Sequence, residues 1–141
     1  MNAPRILLGG LLAGLLFNVL GIASSLVFNL QEAFNRLGWV PGPATLYIHL
    51  TTRFALGIAA VFLYAAIRPR FGPGLKTAVI AGLYLWFVGY LLTGILLIEI
   101  GVFELGQGIW ILLWGLVEAP LATSAGARLY REKSDVPCFQ S

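Results

Sequence analysis

The sequence predicts an all-α fold: a polytopic four-helix transmembrane bundle forming a single domain over residues 1–141. Three observations predict it. First, 59% of the residues are hydrophobic and only 11% are charged, with a mean hydropathy of +0.88. Soluble domains carry roughly 25% charged residues, so lipid replaces water as the main solvent of this chain. Second, four apolar runs at about 6–30, 46–67, 77–98 and 109–127 are each long enough to cross about 30 Å of hydrocarbon as a helix. Third, glycine and proline interrupt the chain at each connection between those runs. Backbone groups in hydrocarbon must find partners within their own segment, which selects helices; the alternation of barrel strands is not seen.

The first run follows Pro4 and Arg5 and resembles a signal peptide at first sight. It exceeds the roughly 7–15 residues of a signal h-region and reads as a retained first span. The connection from Asn29 to Thr45 is the longest; within it, Gln31–Leu37 suits a short amphipathic helix with Phe34 and Leu37 on the membrane, capping the bundle. Gly38, Pro41, Gly42 and Pro43 then break the chain before the second span. Pro69, Gly72, Pro73 and Gly74 make the next connection a tight turn, and Gly101, Gly106 and Gly108 mark the third. Arg5, Arg68, Arg70, Lys76, Arg128, Arg131 and Lys133 fall on one side of the membrane, and only Arg36 falls on the other, beside Glu32, Glu99 and Glu104. The excess of Lys and Arg assigns the first side to the cytoplasm, so both termini are expected there. Trp39, Tyr47, Trp110 and Tyr130 lie near span ends, as an aromatic belt places them.

Two charged residues, Arg53 and Glu118, sit deep inside apolar runs. A charge at mid-bilayer costs about 2.5–3.5 kcal/mol on insertion scales, so such residues pair, line a wet cavity or carry function. A weak internal repeat relates them. Ala13-Gly14-Leu15 followed by Gly21 matches Ala81-Gly82-Leu83 followed by Gly89 at the same spacing. Arg53 lies fifteen residues before Arg68, as Glu118 lies fifteen before Lys133. Each half crosses the membrane twice, so a duplication would be parallel, about an axis along the membrane normal. Two positions related by that axis at equal depth meet near it. Arg53 and Glu118 are therefore expected to form an ion pair, with the planar guanidinium suited to two hydrogen bonds.

His49 lies one helical turn before Arg53, and Trp114 one turn before Glu118; Thr45 and Thr52 add polarity nearby. Together they suggest a small polar pocket opening outward, serving either a ligand or proton site or a hydrogen-bonded lock; the lock is the reading adopted. Asn18 is expected to donate a hydrogen bond between helices. The small residues Gly10, Gly14 and Gly21 share one stripe with Asn18, and Ala119, Ala122, Thr123 and Gly126 form another. Such stripes let helices approach closely, inside a bundle or between copies. Pro120 removes a backbone donor near Glu118 and is expected to bend the fourth span.

No metal site is expected, because one His and one Cys offer no ligand pair. No cofactor is expected either: haem or another pigment would need His49 or Met1 as its axial ligand, and that reading is set aside. A Ser/His/Asp set is missing, as are phosphate-binding glycine loops, and the basic residues form no stripe for nucleic acid. The tail Cys138-Phe139-Gln140-Ser141 formally matches a prenylation box but reads as coincidence.

The segments Ile67-Arg68-Pro69-Arg70-Phe71-Gly72-Pro73-Gly74 and Trp114-Gly115-Leu116-Val117-Glu118-Ala119-Pro120-Leu121-Ala122 resemble those of small bacterial four-span inner-membrane proteins. The resemblance covers nearly the whole chain. It implies a four-span architecture in a bacterial inner membrane and brings no activity with it. Small multidrug transporters carry their essential acid in the first span, where this chain has only Asn18.

The expectation is thus a non-enzymatic integral membrane protein, acting as a structural or accessory subunit or as a binding module, held by Arg53 and Glu118. Its partners would be the bilayer and a homo-oligomer or larger membrane complex. The alternative is a small proton-linked or anion transporter or channel using Glu118, Arg53 and His49.

Overall fold

A computed structural model of the chain describes residues 2–38 and 40–131. Met1, the belt residue Trp39, the basic Lys133 and the Cys138–Ser141 tail lie outside the described residues. Among the described residues the structure is helical, without strands. Helix α1 runs Ala3–Val27, the short α2 Leu30–Arg36, α3 Pro43–Phe71, α4 Leu75–Glu99 and α5 Leu105–Ala127. A π-helical turn, Phe87–Leu91, interrupts α4. Helices α1, α3, α4 and α5 are each long and apolar enough to cross a membrane. Their outer faces expose large apolar side chains such as Leu8, Leu15, Ile48, Phe62, Leu96 and Leu113. In water that surface would aggregate, whereas hydrocarbon solvates it, so the architecture is that of an integral membrane protein.

The helix ends follow local chemistry. Pro4 and Pro43 sit in the first turns of α1 and α3, where an absent N–H costs nothing. Asn29, at φ 50°, turns the chain from α1 into α2, and its side chain donates to Glu32 at 2.8 Å. The α3–α4 hairpin needs glycine at two points, since Gly72 has φ 82° and Gly74 φ 128°. Thr77 Oγ1 donates to the Gly72 carbonyl at 2.7 Å and fixes that turn. Gly101, at φ 78°, ends α4.

The four long helices form a ring in which α1 packs on α3 and α5, and α4 packs on α3 and α5. Helices α3 and α5 therefore face each other across the short diagonal, where they also touch. Glycine sets the close approaches. A Cβ on Gly10 would sit 2.6 Å from Ile58 Cα, one on Gly14 2.8 Å from Phe54 Cα, and one on Gly57 would strike the Gly14 backbone. On the other side of α1, a Cβ on Gly9 would lie 2.5 Å from the Gly126 carbonyl oxygen. Ala119, Ala122, Thr123 and Gly126 are all buried. Both small-residue stripes are thus filled within the bundle, and contact between copies would need another surface.

Some sequence expectations change. Tyr130 is no belt residue: it is 4% exposed and stacks edge-on against Tyr64 with ring centroids 6.0 Å apart, beneath Arg68. Its ring closes one end of the core. Asn18 bonds no other helix; its Nδ2 donates to Gly14 O, one turn back in α1, at 2.9 Å. Helix α5 continues through Pro120 to Ala127.

Candidate functional site

Arg53 leaves α3 at the level of Gly21 and crosses the bundle interior. A side chain on Gly21 would meet the guanidinium, its Cβ lying 2.9 Å from Cζ and from Nη2. Glycine there opens the passage. Arg53 Nη1 then donates to Glu118 Oε1 on α5 at 2.7 Å, to the Tyr90 hydroxyl on α4 at 3.1 Å and to the Phe17 carbonyl on α1 at 3.4 Å. One nitrogen therefore joins all four long helices. The contact with Glu118 uses a single nitrogen, where two parallel bonds were expected. Among the described residues Nη2 and Nε have no hydrogen-bond partner.

The two charges differ in environment. The Glu118 side chain is 2% exposed and that of Arg53 is 20% exposed. Two cavities flank the pair. One, of about 440 Å³, lies between α1 and α3 beneath α2 and is lined by Gly21, Ser25, Thr45, His49 and Arg53, with Leu26, Leu30, Phe34 and Leu46 as apolar walls. The other, of about 410 Å³, lies between α1 and α5 and is lined by Leu20, Phe28, Trp110, Trp114, Val117 and Glu118. Its surface is almost wholly apolar apart from the edge of that carboxylate. The expected single polar pocket is thus two spaces with the ion pair between them.

His49 and Arg53 share the first cavity, as their spacing on α3 requires. Trp114 and Glu118 border the second, with Trp114 edge-on to Phe28 at 5.7 Å. Among the described residues the buried Trp114 indole N–H has no hydrogen-bond partner. Thr52 is exposed on the outside of α3 and borders neither space.

Sequence reasoning missed Tyr90. Its hydroxyl joins the Arg53–Glu118 pair, and its ring lies against Gly115, where a Cβ would be 3.0 Å from Cε1. The residue falls within the π-helical turn, which adds a residue to one helical turn and re-aims the side chains that follow. Its signal in the sequence was a hydroxyl-bearing aromatic in mid-span, far from the interfaces where tyrosine usually sits. A second omission was Gln107, whose Nε2 donates to Phe28 O at 2.9 Å and ties α5 to the end of α1.

At the α2 end a second ion pair joins Arg36 to Glu104, with Gln107 Oε1 at 3.5 Å from Arg36 Nη2. It anchors the short helix over the first cavity. Among the described residues no three His, Cys, Asp or Glu side chains converge as metal ligands. No protein-family model, curated protein or solved structure matches the chain.

Proposed function

We propose that this chain is a small non-enzymatic protein of the bacterial inner membrane, with both termini cytoplasmic, whose buried Arg53–Glu118 pair locks four spans in register. In that role it serves as a structural or accessory subunit, or as a binding module. The observation that carries this reading is the Arg53 Nη1 atom, whose hydrogen bonds reach α1, α4 and α5 from α3. A buried charge fixes register because every alternative packing leaves it unpaired. The cytoplasmic assignment rests on Arg5, Arg68, Arg70, Lys76, Arg128 and Arg131, which cluster at one end of the bundle. Reporter fusions after Arg131 and within residues 36–42 test it, and activity of an externally active reporter at the C-terminus would reverse the topology.

The two halves are read as a parallel duplication. In support, Gly14 packs against Phe54, the residue after Arg53, and Gly82 packs against Ala119 and Pro120, the two residues after Glu118. A glycine of the first helix in each half thus meets the second helix within two residues of its charge.

The lock is tested by thermal unfolding in detergent of Arg53→Met, Glu118→Gln and the double variant. Each single change should destabilise more than the double, because it leaves one buried charge alone. Equal and small losses in all three would refute the lock. The alternative, an anion or proton-linked transporter, draws on the exposure of Arg53 to the cavity beneath α2. Proteoliposome flux that depends on Glu118 would favour it.

A further inference from the structure

The cavity beneath α2 has features that the lock does not use. It holds about 440 Å³, within the range of small-ligand sites. Its polar lining carries one charge: Arg53 is cationic, His49, Gln31, Ser25 and Thr45 are neutral hydrogen-bonding groups, and no acidic side chain lines it. The acid that pairs with Arg53 borders the other cavity instead. Arg53 presents two unused donor atoms, Nη2 and Nε, and Nη2 lies over Gly21, which itself lines the space. Ile22, Leu26, Leu30, Phe34 and Leu46 supply apolar walls. Leu26 at 78% and Leu46 at 60% exposure flank the side where the space opens, between the last turn of α1 and the first turn of α3.

A single guanidinium at the floor, largely apolar walls and a side opening between two leucines suit a molecule with an anionic head and one flexible chain. The geometry points to a binding site for a free fatty acid. Its carboxylate accepts from the unused edge of Arg53 and from His49, and its chain leaves between Leu26 and Leu46 into the bilayer. A guanidinium can serve two carboxylates on different edges, so the ligand need not displace Glu118. Helix α2, anchored by Arg36 and Glu104, roofs the bound head through Phe34. The site is independent of the lock: a bundle held by Arg53–Glu118 offers the cavity whether or not it is filled.

The test uses the full-length protein in zwitterionic nanodiscs, with dodecanoate as the probe and dodecanol as its uncharged equal in chain length. Dodecanoate should bind saturably and raise the unfolding temperature, and dodecanol should bind at least about tenfold more weakly, the loss expected when one charge-assisted hydrogen-bonding head is removed. His49→Gln should weaken dodecanoate severalfold while leaving unfolding without ligand unchanged. Ser25→Trp and Thr45→Trp each fill the cavity from a different wall and should abolish binding; two variants are used so that one folding failure leaves the other. Equal binding of dodecanoate and dodecanol would overturn the proposal, as would binding that survives both tryptophans. Stabilisation by phosphatidylglycerol nanodiscs but not by dodecanoate would also overturn it, assigning the site to a phospholipid head.

Discussion

Two arginine–glutamate pairs in this molecule share their chemistry and differ in nearly everything else. Arg53 and Glu118 meet inside the bundle with side-chain exposures of 20% and 2%, whereas Arg36 and Glu104 meet at the α2 end with exposures of 45% and 72%. Water can solvate either member of the outer pair if the other is lost, so the contact contributes about 0–1 kcal/mol. Nothing solvates Glu118 in place of Arg53 except the Tyr90 hydroxyl. The inner pair therefore acts chiefly through the penalty of breaking it, which reaches about 3–5 kcal/mol for a buried charge left alone. Residue type alone would rank the two pairs as alike; burial separates them.

The sharpest way to break this comparison is to remove one inner charge. Arg53→Met or Glu118→Gln alone should cost about 3–5 kcal/mol in detergent unfolding, and the double variant markedly less. A double-variant loss equal to the sum would show that the two residues act separately. Next in size is Gly57→Ala, whose Cβ would strike the Gly14 backbone beneath the pair. Overpacking of this kind should cost about 1–3 kcal/mol, and an unchanged unfolding temperature would mean that α1 and α3 can part freely.

Tyr90→Phe should follow, at about 1 kcal/mol, because it removes one hydrogen bond to a charge that keeps two other partners. In the Glu118→Gln background its effect should change, since the two share Arg53, and strict additivity would place Tyr90 outside the lock. Smallest is Arg36→Ala, at under about 1 kcal/mol. Raising salt from low to about 0.5 M should erase that difference while leaving the Arg53→Met deficit in place, because only exposed charges are screened. Salt sensitivity of the inner pair would mean that water reaches it.

Much of the fold was legible in the sequence, for a physical reason. Hydrocarbon demands about twenty apolar residues per crossing, and glycine or proline must turn the chain between crossings. The four runs accordingly lie within a few residues of α1, α3, α4 and α5. The meeting of Arg53 and Glu118 could be read from their matched depth, since charges at one level of a small bundle have few partners to choose from. The loss of Tyr130 from the aromatic belt could not: belt and core tyrosines have the same sequence neighbours, and only the approach of Tyr64 and Arg68 distinguishes them. Asn18 likewise could bond its own helix or another, and only the folded chain shows its bond to Gly14 O.

By itself the sequence determined the solvent, the number of long helices, their ends and the two charges that hydrocarbon will not leave single. These depend on composition and periodicity along the chain. Tertiary structure decided how the charges are used. Rotation of each helix about its axis placed Gly21 beneath the guanidinium, and the π-helical turn brought the Tyr90 hydroxyl to it. The same packing put Arg53 on the cavity beneath α2 and Glu118 on the one beside α5. Those outcomes depend on helix rotations and sub-helical offsets, which side-chain packing sets in three dimensions and which no one-dimensional spacing encodes.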